Sequence, residues 1–116
     1  MEVFEMDESV TIKQLRDEAR RFAEERNWGR FHTPRNLAES IVIEASELLA
    51  EFQWDNQFGN PINIKNISDE LSDVFIFCLT MASGLNIDIS ESIFSKMARN
   101  AEKYPIESIR ACHDGP

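Results

Sequence analysis

The sequence predicts an all-α fold built from four helices. Apolar residues recur at three- and four-residue spacing through four separate stretches, and each stretch opens near a residue able to cap a helix. The β alternative fails, because Ile62, Ile64 and Ile67 make no sustained alternation and only 4 glycines are available for turns.

The first helix is expected over about residues 12 to 26. Ile12, Leu15, Ala19, Phe22 and Ala23 form its stripe, Thr11 with Gln14 has the form of a capping box, and Asn27, Trp28 and Gly29 break it. Thr33 followed by Pro34 opens the second helix as a cap with proline in the first turn. Its stripe is Leu37, Ile41, Ala45, Leu48, Leu49 and Phe52, and it ends near Trp54, because Asp55, Asn56, Gly59, Asn60 and Pro61 are turn formers. Ser68 is predicted to cap a third helix, stopped by Gly84, whose interior from Leu71 to Ala82 is apolar on nearly every side. Such a helix must be covered all round, and a partner subunit is the natural cover in so small a chain. Ser90 opens the fourth helix, with Ile93, Phe94, Met97, Ala98 and Ala101 on one face, and Pro105 ends it.

The 116 residues correspond to a single domain, and 42% hydrophobic with 28% charged is a globular balance. Twelve Lys plus Arg against 21 Asp plus Glu give a net charge of −9, which excludes nonspecific attraction to a nucleic-acid polymer or an anionic membrane. Cys78 and Cys112 form neither a disulfide framework nor a C-x-x-C pattern, which fits a reducing cytoplasm, and Cys78 is expected in the core. Acidic Glu2, Glu5, Asp7 and Glu8 stand where a secretory signal needs basic residues, and the apolar run Val74–Ala82 is far short of the ~20 residues of a membrane span. A cytoplasmic, soluble protein is expected.

Three groups of residues suggest chemistry. Glu44 and Glu47 lie three apart in the second helix, with Glu51 a turn further, and Glu70 and Asp73 have the same spacing in the third. Residues at i and i+3 share a helix face, and each acidic pair borders an apolar stripe. Antiparallel packing of the two helices would gather four carboxylates in a small volume, where a divalent cation is the natural neutraliser. Oxygen-only ligands favour Mg²⁺, or Mn²⁺ as a substitute, over zinc. The second group, Trp28, Phe31, His32 and Trp54, flanks the second helix and offers rings on which a base can stack, or which simply pin the loops to the helices. The third is a cationic strip in the fourth helix, Lys96, Arg99, Asn100 and Lys103 with Tyr104, suited to a phosphate tail or to a solvated face.

Four motifs occur in order: Trp28-x-x-Phe31-His32-x-Pro34-Arg35-Asn36-Leu37; Glu44-x-x-Glu47 running into Phe52-Gln53-Trp54; Asp69-Glu70-Leu71-Ser72-Asp73-Val74; and Lys96-x-x-x-Asn100-x-x-Lys103-Tyr104-Pro105. Over about residues 11 to 108 the chain resembles the MazG-like all-α nucleoside triphosphate pyrophosphohydrolases, in the small single-domain branch that includes the dCTP pyrophosphatases. The resemblance implies hydrolysis of a nucleoside triphosphate between the α- and β-phosphates, with dCTP or a related deoxynucleotide as substrate, in the house-cleaning of the nucleotide pool. It further implies Mg²⁺ held by Glu44, Glu47, Glu70 and Asp73. One of the two second-helix glutamates, Glu44 or Glu47, would then take the proton of the attacking water, with Glu47 slightly favoured. Lys96, Asn100, Lys103 and Tyr104 would hold the phosphates, and Trp28, Phe31, His32 and Trp54 would enclose the base or sugar. Homodimers or homotetramers are implied as well. The rival reading is a helical adaptor that binds a cation structurally and a protein through its aromatics.

Overall fold

Five α-helices and one 3₁₀ turn order the described residues, 5–53 and 61–106 of the computed structural model, and no strand occurs among them. A short helix α1, Glu5–Ser9, precedes the four that the sequence predicts: α2, Ile12–Glu25; α3, Pro34–Ala50; α4, Ile64–Gly84; and α5, Ile89–Lys103.

The capping box forms at the start of α2: the Gln14 N–H donates to Thr11 Oγ1 at 3.1 Å, and the Thr11 N–H donates to Gln14 Oε1 at 2.7 Å. Two donors that a helix start would leave unpaired are thereby satisfied. Asn27 ends the helix in the left-handed region, φ 55°, a conformation asparagine tolerates better than most residues. The chain then makes the 3₁₀ turn Gly29–Phe31, and Asn36 Nδ2 donates back to the Phe31 carbonyl at 3.0 Å, tying the turn to α3. The start of α3 is as predicted, with the Asn36 N–H donating to Thr33 Oγ1 at 3.2 Å and proline in the first turn.

Four boundaries differ from expectation, the first being the end of α3 at Ala50, with residues 51–53 in turns, short of the predicted end near Trp54. Helix α4 begins at Ile64 because Asn63, not Ser68, is its cap; Asn63 Oδ1 accepts from the Asn66 N–H at 3.0 Å, and Ser68 lies within the helix. Asparagine caps as well as serine, and Ile64 and Ile67 extend the apolar spacing one turn earlier. Helix α5 is likewise capped by Asp88 rather than opened by Ser90, with Asp88 Oδ1 accepting from the Glu91 N–H at 3.0 Å. Gly84 is the last residue of α4, but the left-handed residue that turns the chain is Asn86, φ 57°.

Helix α3 pairs with α4, and α2 packs on α4 as well. These three helices lie in a compact unit that ends at Asn86, and α5 lies in a second that begins at Ile87. The core within one chain is small. Among the described residues only Ala23, Leu37, Leu79 and Ala82 are buried hydrophobics. The all-round cover expected for α4 is not supplied by the described residues: Phe75 is 58% exposed, and on α3 Val42 and Leu49 are 68% and 72% exposed. Cys78, expected in the core, is exposed because it lies in this sparsely covered helix.

Candidate metal centre

The α3–α4 pairing brings three of the four predicted acids together. One carboxylate oxygen from each of Glu44, Glu47 and Glu70 lies within 4.8 Å of the others. Glu44 and Glu70 are half-buried and Glu47 is exposed. Oε2 of Glu44 and Oε2 of Glu70 are both shielded from solvent and have no hydrogen-bond partner. A carboxylate oxygen withdrawn from water and left unpaired is costly, and like charges at close range add to that cost.

Both effects appear in the proton affinities. Burial, contact with the Glu47 carboxylate, and then the charges of Asp73 and Glu70 push Glu44 up from 4.5 to about 7. Glu70 is raised for similar reasons: burial first, then Glu47, Asp73 and Glu51. Asp73 thus stands outside the converging trio while its charge reaches it. Glu51, one turn beyond Glu47 and just past the end of α3, adds to the same field, as its spacing in the sequence suggests. Three converging carboxylates, two orphaned oxygens and no nitrogen or sulfur in the trio fit a hard divalent cation, which would supply the missing partners and cancel the repulsion.

The aromatic group is divided. Trp28 is 45% exposed and meets Phe22 edge-on at 5.6 Å between ring centroids, while the Arg26 guanidinium lies 3.5 Å from the Phe22 centroid. Phe31 is 55% exposed, with Arg30 over its ring at 4.7 Å. His32 is half-buried and meets Phe77 of α4 edge-on at 6.4 Å. Phe77 follows Asp73 by one helical turn on the same face, so His32 approaches the acidic face of α4 from its C-terminal side. Trp54 lies outside the described residues. In the second unit, Lys96, Asn100 and Lys103 are exposed and follow one another at helical spacing along α5. The Tyr104 N–H donates to the Asn100 carbonyl at 2.8 Å, and Lys103 Nζ stands 5.3 Å from the Tyr104 ring centroid.

The sequence pattern of the MazG-like family matches residues 40–111, which include every helix α3 and α4 acid discussed above. The chain belongs to the MazG-like family. It is 34% identical to dCTP pyrophosphatase 1 of Rattus norvegicus over 113 residues, 92% of this chain and 66% of that protein. It is also 34% identical to dCTP pyrophosphatase 1 of Homo sapiens over 114 residues, 93% of this chain and 67% of the human one. The chain therefore spans about two thirds of the length of these curated relatives. A crystal structure of a pyrophosphatase from Archaeoglobus fulgidus superimposes with a TM-score of 0.74 at 36% identity, covering 81% of this chain and 92% of that one. The all-α reading of the sequence and the MazG-like architecture agree. No single helix among the described residues is long and apolar enough to cross a membrane.

Proposed function

We propose that this MazG-like chain hydrolyses deoxynucleoside triphosphates, dCTP or a related nucleotide, to the monophosphate and pyrophosphate. The observation that carries the reading is the convergence of Glu44, Glu47 and Glu70 from two helices, in a chain whose relatives are named dCTP pyrophosphatase 1. Glu44, Glu47, Glu70 and Asp73 would hold Mg²⁺, with Mn²⁺ as a substitute. A cation bound there would polarise phosphate oxygens and lower the pKa of a coordinated water. Glu47 is exposed and lies against both other glutamates, so it can accept the proton of an attacking water while Glu44 and Glu70 remain withdrawn from solvent.

Lys96, Asn100, Lys103 and Tyr104 would neutralise the pyrophosphate leaving group, and Trp28, Phe31, His32 and Trp54 would enclose the base or sugar. The exposed apolar residues Val42, Leu49 and Phe75 support a homodimer or homotetramer, in which a partner copy covers α3 and α4. A role in cleansing the cytoplasmic nucleotide pool follows from the substrate class. Reaction of dCTP in ¹⁸O-labelled water with Mg²⁺ tests the reading: the label should enter the monophosphate, with pyrophosphate as co-product. Orthophosphate as the first product would mean that the phosphates bind in another register. Mg²⁺ binding without turnover of any nucleoside triphosphate would favour the adaptor instead.

A further inference from the structure

The end of α2 is built around Trp28. Asn27 takes the left-handed conformation, and the N–H groups of Asn27 and Trp28 fold back on the helix, donating to the Glu24 carbonyl at 3.0 Å and the Ala23 carbonyl at 2.9 Å. This pair of bonds is the Schellman closure of a helix, in which the residue two beyond the cap meets an apolar side chain of the last turn. Here that residue is Trp28 and the apolar side chain is Phe22, and their rings meet edge-on at 5.6 Å between centroids.

The closure accounts for the contact but not for what is added to it. Arg26, the cap residue, is also fixed to Phe22: Cζ lies 3.5 Å from the Phe22 ring centroid and 6.0 Å from that of Trp28, and Nη1 donates to the Phe22 carbonyl at 3.1 Å. The Arg26 backbone N–H goes to the Ala23 carbonyl instead, at 3.2 Å, so the side chain supplies the Phe22 carbonyl with a donor that the backbone withholds. Phe22 is thus held at its carbonyl and on its ring, and Trp28 is held at its N–H and by the Phe22 ring. The rest of the indole is open, since Trp28 is 45% exposed. As a helix stop the position needs only some apolar side chain. A large ring fixed by its neighbours and still half in water is a ready stacking surface, because its side-chain freedom is already lost before a second ring arrives. Trp28 also opens the turn that leads to His32, which meets Phe77 one helical turn beyond Asp73, so the indole stands on the segment that approaches the acidic face of α4.

We infer that Phe22, backed by Arg26, is a positioning residue that holds the Trp28 indole in the orientation in which it stacks on the base of the nucleotide. The inference rests on the proposed place of Trp28 in the enclosure of the base. Neither Phe22 nor Arg26 touches the nucleotide in this arrangement, so their effect passes through Trp28 alone. The base is remote from the reacting phosphorus, and losing the orientation weakens ground state and transition state alike, which raises KM at constant kcat.

The test uses the full chain carrying 5-fluorotryptophan, for both ¹⁹F NMR and steady-state kinetics with dCTP and Mg²⁺. The sequence holds 2 tryptophans, so the Trp28 resonance is assigned by its loss in Trp28→Ala. Phe22→Leu keeps an apolar side chain at a site that is 47% exposed, so the helix persists. It should move the Trp28 resonance toward that of the free amino acid and raise KM for dCTP about three- to tenfold with kcat unchanged. Arg26→Ala should move the resonance in the same direction, and Phe22→Tyr, which restores the ring, should restore both the resonance and KM. In Trp28→Ala, Phe22→Leu should add nothing to KM. A Trp28 resonance that Phe22→Leu leaves in place, a KM unchanged by it, a loss confined to kcat, or an equal rise in KM in the Trp28→Ala background would each overturn the inference. A KM unchanged by Trp28→Ala, with the resonance still responding to Phe22→Leu, would refute the base-enclosing role of Trp28 itself, and the inference with it.

Discussion

Cation binding at the carboxylate trio should release protons, in an amount set chiefly by Glu44. With Glu44 held at about 7, its carboxyl carries a proton in about half of the metal-free molecules at pH 7, about nine in ten at pH 6 and about one in ten at pH 8. A carboxylate must be ionised to act as a ligand, so Mg²⁺ should expel about 0.9 proton per ion at pH 6, about 0.5 at pH 7 and about 0.1 at pH 8. Glu70, also raised, adds to the release at the acid end. Calorimetric titration in pairs of buffers with different ionisation heats measures the number directly. Glu44→Gln should remove most of the pH dependence, since the group that holds the proton is gone. The same proton bears on stability. A carboxyl raised from 4.5 to about 7 on folding contributes stability that is fully present below pH 4.5 and is lost as the pH rises through about 7. The metal-free protein should therefore weaken over that window, and saturating Mg²⁺ should reverse the loss. Proton release that is nil at pH 6, or that is the same in wild type and Glu44→Gln, would refute the argument that desolvation and crowding at this trio hold the proton.

Three further outcomes follow from the same arrangement. Glu70→Gln should abolish Mg²⁺-dependent cleavage of dCTP while circular dichroism in EDTA shows an intact helical fold, because the change removes a repelling charge; wild-type turnover would remove Glu70 from the site. Leu37→Ala should cost about 2–5 kcal/mol in denaturant unfolding, since Leu37 is 2% exposed and few of the described residues are buried so fully. Leu49→Glu, placing a charge on a residue 72% exposed in the single chain, should shift sedimentation at micromolar concentration toward the monomer; a wild type that already sediments as a folded monomer would refute the proposed assembly.

What the sequence revealed divides along a physical line. Signals carried within a few residues were legible: the Thr11–Gln14 box, the Thr33–Pro34 start and the acidic pairs at i,i+3 all have the form their spacing predicts. The two misplaced helix starts have the same local character. Asn63 and Ser68, or Asp88 and Ser90, are competing caps of similar strength, and the choice between them is made by how far the apolar face continues.

Properties that depend on a neighbouring element were legible only in part. Spacing placed Glu70 and Asp73 on one face of α4, but the register of α4 against α3 decides that Glu70 reaches Glu44 and Glu47 while Asp73 acts on them through its charge alone. Cys78 departs from expectation for the corresponding reason: its apolar surroundings in sequence say nothing of what packs on that face of α4, and among the described residues it is exposed. In the sequence, Arg16 and Arg20 among Asp17, Glu18 and Arg21 read as a solvated polar face of α2. Only the packing of α2 on α4 sets Arg20 against Ser83 and leaves Arg16 Nε shielded without an acceptor. The strongest indication of a ligand in this chain, at the acidic trio, is likewise a property of two packed helices. It is a charged atom withdrawn from water without a partner, which periodicity cannot reveal because it is a property of two helices at once.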